Sequence, residues 1–79
     1  MDPNQCAADG IRYARTDDAT ETRAALRDLR EWIARGGFRP SRRIVRQILD
    51  NLEGREFHVM AEHDPNATNT ERAIWRLCV

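Results

Sequence analysis

The sequence has no lysine, so all 13 of its basic residues are arginine. They are balanced by 13 acidic residues, which gives a formal net charge of zero and a pI of about 6.7. Domains that bind nucleic acid are usually basic, so any cationic function here has to come from a local cluster. The absence of lysine favours a GC-rich genome, because arginine codons are GC-rich, over selection of arginine for bidentate binding.

Long apolar runs are also missing. No stretch approaches the length of a membrane-spanning helix, and the first residues lack the cationic start and apolar run of a secretory signal. We therefore expect a cytoplasmic protein with no membrane partner. Cys6 and Cys78 lie at opposite ends of the chain and are expected to be free thiols, since a disulfide would require the two ends to be neighbours.

A chain of 79 residues is long enough for one small domain. No internal repeat is visible. Residues 1–9 are polar and contain Pro3, Asn4 and Asp9, so they predict a flexible N-terminal tail. Residues 10–79 are expected to form a single α+β domain.

Two segments have the period of amphipathic helices. Residues 19–35 predict a helix that begins after Asp18 as N-cap and ends at Gly36, because glycine tolerates the left-handed conformation that closes a helix. Residues 42–53 predict a second helix after Ser41 as N-cap, with apolar residues at helical spacing.

Three segments alternate between apolar and polar residues, which is the period of β-strands. Residues 11–16 are a weak candidate for a first strand, and residues 57–62 and 72–79 predict an antiparallel hairpin around a loop rich in turn-forming residues. The predicted order is β-α-α-β-β. In this α+β fold, two helices pack on one face of a small two- or three-stranded antiparallel sheet.

Four arginines crowd the start of the second predicted helix, while Asp50 and Glu53 lie near its end. This order is the reverse of the one that the helix dipole favours. Departures from a local rule often mark functional sites, and a helix N-terminus with extra cations suits acidic groups. Solvated arginines on a helix held by packing are the competing explanation. The predicted partner-binding surface consists of Arg39, Arg42, Arg43, Arg46 and Gln47.

An acidic protein surface is the expected partner, because arginine is enriched at interface hot spots. The alternative is a winged-helix-like DNA- or RNA-binding transcriptional regulator, in which the same arginines and Gln47 read a groove and the hairpin is the wing. Three features weaken this alternative. The connection between the predicted helices is longer than a helix-turn-helix normally has, a third helix is not predicted, and the net charge is zero.

The outer face of the predicted hairpin is a secondary candidate surface. It would carry His58, Met60, Ile74 and Arg76, with Met60 and Ile74 as an exposed apolar pair of the kind that marks association sites. This face, or an open sheet edge, could form a homodimer. The tail or the first strand could equally cover it.

No catalytic or metal-binding pattern is present. The cysteines and histidines lack the close spacing typical of zinc ligands. Cys78 and His58 could form a nucleophile–base pair, but no third group orients the base and no glycine-rich oxyanion site is apparent. We therefore predict a non-enzymatic binding module without a cofactor. A small protein-binding regulator or inhibitor, of a size that suits phage or mobile-element products, is the predicted function.

Overall fold

The structure, a computed structural model, describes residues 1–53 and 67–79. These residues form four helices: α1 (Pro3–Arg15), α2 (Ala19–Ala34), α3 (Arg42–Glu53) and α4 (Asn69–Leu77). Helices account for about three quarters of this part of the chain, which contains no strand. None of the described helices is long and apolar enough to cross a lipid bilayer.

The predicted α+β fold is therefore wrong. Residues 11–15 of the predicted first strand belong to α1, and residues 72–77 of the predicted last strand belong to α4. The intervening strand, predicted for residues 57–62, lies outside the described residues. Because the segment that should pair with it is helical, the predicted hairpin register has no counterpart in the fold.

Residues 3–9, most of the segment predicted to be a flexible tail, belong to α1. The carboxylate of Asp2 accepts hydrogen bonds from the backbone N–H groups of Asn4 at 3.0 Å and Gln5 at 3.3 Å. Pro3 follows as the first helical residue, where its fixed φ angle suits the helix and its missing N–H costs nothing. Local capping thus starts a helix in a polar segment, and burial of its small residues then anchors it.

Gly10 lies where α1 meets α2 and α4. A Cβ at this position would be 2.9 Å from Cβ of Ala25 and 2.7 Å from Cδ1 of Ile74. Both distances are shorter than the optimal separation of carbon atoms, about 3.5 to 4.0 Å. The absence of a side chain at Gly10 therefore permits the close approach of these three helices.

The two helices predicted from residues 19–35 and 42–53 are confirmed. Oδ1 of Asp18 accepts a hydrogen bond from the backbone N–H of Glu21 at 3.1 Å. After α2, Gly36 has a φ angle of 90°, a conformation that glycine adopts without strain. At the start of α3, Oγ of Ser41 accepts from the backbone N–H of Ile44 at 3.4 Å.

α4 begins with a capping residue of the same kind. Oγ1 of Thr68 accepts a hydrogen bond from the backbone N–H of Glu71 at 3.1 Å. The side chains buried from here to the end of the chain are Glu71, Ile74, Trp75 and Cys78, which are spaced as one face of a helix. Ile74, predicted to lie on an exposed strand face, is fully buried in the core because a helix turns it inward.

α1 is the centre of the packing, since it contacts α2, α3 and α4, and α2 also contacts α4. A charged pair also lies between α1 and α4. Glu71 is 2% exposed, and its Oε1 accepts from Nε of Arg15 at 3.0 Å and lies 2.9 Å from Nη2. The pair ties the end of α1 to the start of α4. The fully or almost fully buried core consists of Ala7, Ala8, Ile11, Leu29, Val45, Leu49, Ile74, Trp75 and Cys78.

Candidate functional site

Three of the four arginines predicted to bind a partner are exposed at the start of α3. Arg39 lies in the connection before the helix, and Arg43 and Arg46 lie on its outer side. Gln47 is exposed on the same side, one turn after Arg43. The helix directs these side chains outward because Val45, on the opposite side, is fully buried.

Arg42, the fourth arginine, is directed inward. Its guanidinium lies over the indole of Trp75, 5.1 Å from the ring centroid, and its Nη2 donates to the carbonyl oxygen of Trp75 at 3.4 Å. Its backbone N–H donates to the oxygen of Val79 at 2.7 Å. Arg42 therefore joins α3 to the last residues of the chain and is not part of the exposed cationic surface.

Val79 makes two backbone hydrogen bonds in this contact. Its backbone N–H donates to the carbonyl oxygen of Pro40 at 2.9 Å, while its own oxygen accepts from Arg42. The two bonds hold the last residue against the segment that leads into α3. The side chain of Val79 remains 67% exposed and lies beside the start of the helix.

Phe38 is exposed next to Arg39, in the connection between α2 and α3. Its side chain contacts Trp32 edge to face, with ring centroids 5.9 Å apart and an angle of 86° between the rings. The indole Nε1–H of Trp32 donates to the carbonyl oxygen of Phe38 at 2.9 Å. Phe38 is nevertheless 62% exposed. Reasoning from the sequence missed it, because an aromatic residue between two helices usually fills a core.

These observations define one surface at the start of α3, which we call the entry surface. It combines guanidinium groups with exposed apolar side chains, whereas the predicted surface was purely polar. Arg46 and Gln47 continue it along the outer side of α3. The entry surface consists of Phe38, Arg39, Arg43, Ile44 and Val79.

The secondary surface predicted on the hairpin does not form as expected. Ile74 is buried, so it cannot belong to an exposed apolar pair with Met60. Arg76 is exposed on α4. His58 and Met60 lie outside the described residues.

The two cysteines are free thiols, as predicted. Burial raises the pKa of Cys78 to about 11, although the charge of Arg42 opposes the shift. Burial also raises the pKa of Cys6, and the carboxylates of Asp28 and Asp9 act in the same direction. Thiols with raised pKa values are poor nucleophiles at neutral pH. Within residues 1–53 and 67–79, no three histidine, cysteine or acidic side chains are placed to hold a metal ion.

The groove between α1 and α2 has the opposite charge to the entry surface. This cleft of about 430 Å³ is lined by four carboxylates together with Met1, Gln5, Cys6, Tyr13, Ala24 and Ala25. An acidic partner would be repelled there and attracted to the start of α3. The carboxylates of the groove are Asp2, Asp9, Glu21 and Asp28.

α2 and α3 do not have the arrangement of a helix-turn-helix. That motif packs two helices against each other across a turn of three or four residues. Here the connection covers residues 35–41, and α2 and α3 form no packed pair within the described part of the chain. Residues 72–77, which were predicted to form the second strand of the wing, belong to α4.

Comparisons with protein-family models, curated proteins and solved structures find no match for this chain.

Proposed function

We propose that this protein is a cytoplasmic, non-catalytic protein-binding module, a small regulator or inhibitor that presents the entry surface to an acidic surface of a partner protein. The observation that carries the proposal is the grouping of Arg39 and Arg43 with exposed apolar side chains at one end of α3. Among the described residues, neither arginine has a carboxylate within ion-pair distance. Their guanidinium groups can therefore pair with carboxylates of a partner.

The position of these arginines strengthens the attraction. The N-terminus of a helix carries partial positive charge, so each cation placed there costs about 0.3 to 1 kcal/mol at an exposed site. A carboxylate bound at the same place relieves this repulsion and accepts paired hydrogen bonds from a guanidinium. Binding of a carboxylate thus offsets the unfavourable positive charge at the start of α3.

The apolar part of the entry surface favours a protein over a nucleic acid as the partner. Phe38 and Val79 are both mostly exposed beside the arginines. Protein interfaces combine aromatic residues and arginine at their centre, whereas interfaces with DNA are more polar and far more positively charged. Two free thiols also suit a reducing compartment.

The proposal can be tested by fluorescence anisotropy with a labelled polyglutamate peptide and with labelled duplex and single-stranded nucleic acid, each at two salt concentrations. We expect the acidic peptide to bind and its affinity to fall with salt, because exposed ion pairs are screened. Arg39→Ala combined with Arg43→Ala should lower the affinity roughly two- to thirtyfold, as expected for the loss of two exposed ion pairs.

The matched control is Arg23→Ala combined with Arg30→Ala, which removes the same charge from exposed positions of α2. Equal losses of affinity in the two double variants would mean that peptide binding follows net charge and has no defined surface. Binding of nucleic acid but not of the peptide would replace the proposed partner with the alternative one. Circular dichroism of each variant establishes that its helices are retained.

A further inference from the structure

We infer that Phe38 is the anchor of the entry surface and that its ligand is an acidic segment carrying an apolar side chain, which packs on the exposed part of the Phe38 ring while its carboxylates meet Arg39 and Arg43. This inference rests on the proposed function and names the chemistry of the partner. It assigns a positioning role to Trp32 and Gly37.

Trp32 restrains the backbone and the ring of Phe38 at the same time. Its indole N–H donates to the carbonyl oxygen of Phe38 at 2.9 Å, and the two rings meet edge to face. Both contacts come from the last part of α2, a helix whose position is set by the core. The exposed ring is therefore held in place before a partner arrives.

The absence of a side chain at Gly37 allows the indole of Trp32 to hold this position. The indole of Trp32 lies so close to this residue that a Cβ there would overlap the ring. Any other residue at position 37 would push the indole away and release Phe38. The contact is thus specific to glycine for a steric reason, independent of the left-handed conformation at Gly36.

A restrained aromatic ring lowers the cost of binding. Ordering a mobile side chain at an interface costs about 0.5 to 1.5 kcal/mol, and this cost is absent when the side chain is already held. Phe38 is 62% exposed in spite of its restraints, so most of its apolar surface is free to be covered.

The arginines that follow Phe38 along the chain bear on which ligand can cover its ring. Arg39 follows Phe38 directly, and Arg43 lies one turn into α3. A neutral apolar segment would leave these guanidinium groups without counter-charges, and a purely acidic segment would leave the ring in water. A segment with one apolar side chain between carboxylates satisfies both requirements.

Two labelled peptides of equal length and net charge test this inference on the full chain. One consists of glutamate and serine with a central leucine, and the other has serine in place of the leucine. We expect the leucine peptide to bind about fivefold more tightly or better, because leucine buries apolar surface against Phe38. Phe38→Ala should remove this preference, and Phe38→Tyr, which keeps the ring, should retain it.

Trp32→Phe tests the positioning role, because it keeps an aromatic ring but removes the hydrogen bond to Phe38. It should reduce the preference for the leucine peptide and leave the affinity for the serine peptide unchanged. Gly37→Ala should act in the same way. A general loss of structure would lower both affinities together, so the ratio of the two affinities separates positioning from stability.

The outcomes also separate this inference from the proposed function. If wild-type protein binds the two peptides equally, or if Phe38→Ala weakens both to the same extent, Phe38 is not the anchor and the inference fails. The proposed function then still stands, provided that Arg39→Ala with Arg43→Ala lowers both affinities. If the arginine substitutions change neither affinity, the proposed function itself fails.

Discussion

Cys78 shows how burial sets the chemistry of a single side chain in this protein. The residue is 3% exposed, and its Sγ donates to the carbonyl oxygen of Ile74 at 3.4 Å. An ionised thiolate in this position would be poorly solvated, which is why the pKa is raised. The same thiol in the unfolded chain would have an ordinary pKa, so the folded and unfolded states differ in proton binding.

We expect this difference to make the protein less stable in alkaline solution. Below pH 9.0 the thiol is protonated in both states, so the favourable burial of the neutral group is fully present. Between pH 9.0 and about 11 the unfolded chain loses the proton while the folded chain keeps it, so the free energy of unfolding falls as pH rises through this window. Urea unfolding measured across the window should show this fall.

Cys78→Ala provides the comparison, because it removes the titrating group and leaves Cys6 in place. The variant will be less stable at every pH owing to the lost packing, but its free energy of unfolding should fall less steeply across the same window. Parallel curves for the two proteins would mean that Cys78 does not titrate differently in the folded state.

At the scale of the helix, local signals identify where each element begins. Asp18 and Ser41 were identified as N-caps from the sequence, and α2 and α3 begin after them. The pair Asp2–Pro3 and the residue Thr68 carry equally strong signals. Polar composition nevertheless predicts a tail for residues 1–9, and the short apolar–polar alternation of residues 72–79 predicts a strand. A segment as short as α4 fits a period of 2 and a period of 3.6 almost equally well.

Packing between helices depends on close approaches such as the one at Gly10, where α1 meets α2 and α4. Gly10→Ala is expected to lower the free energy of unfolding by up to about 2 kcal/mol, because overpacking costs about 1 to 3 kcal/mol and the gain in helix propensity is about 1 kcal/mol. Cδ1 of Ile74 can rotate away from a new methyl group, but Cβ of Ala25 is fixed to the backbone of α2. Urea unfolding followed by circular dichroism measures the change.

The control for Gly10→Ala compares alanine and glycine at the exposed residue Gln5, which gives the propensity difference in α1 without packing. Combining Gly10→Ala with Ala25→Gly should recover part of the lost stability, since the opposing methyl group is removed. If Gly10→Ala stabilised the protein as much as the substitution at Gln5, the three helices would not meet as closely as described.

The molecule as a whole is tied together by contacts between its two ends. α1 and α4 lie far apart in the sequence, yet they pack against each other and share the pair formed by Arg15 and Glu71. A buried carboxylate that loses its partner is costly, whereas a buried ion pair is often no better than apolar side chains of similar volume. Loss of one member of the pair should therefore cost more stability than loss of both.

Arg15→Met should lower the free energy of unfolding by about 2 to 4 kcal/mol, the partial exposure of the arginine reducing the full penalty. The double variant Arg15→Met with Glu71→Met should be close to wild type, since no unpaired charge remains. Thermal or urea unfolding of the three proteins measures the effect. Arg12→Met is the matched control, because Arg12 pairs with Asp9 at 3.8 Å on the exposed side of α1. Equal effects of Arg15→Met and Arg12→Met would show that Glu71 is solvated.

The candidate site was predictable only in part. The exposure of Arg39, Arg43 and Arg46 follows from their positions before and along an amphipathic helix, and the sequence is enough to find them. Arg42 contacts the indole of Trp75, and the backbone of Phe38 is hydrogen-bonded by Trp32. Neither contact can be inferred from spacing along the chain.

The sequence by itself determined the two central helices, their capping residues and the concentration of arginine at the start of α3, because capping and amphipathic spacing act over a few neighbouring residues. The tertiary structure alone decided that residues 72–77 are helical and that Ile74 is part of the core. These outcomes depend on burial against α1 and α2, whose surfaces come from distant parts of the chain. The free energy of that burial exceeds the small local preference between strand and helix.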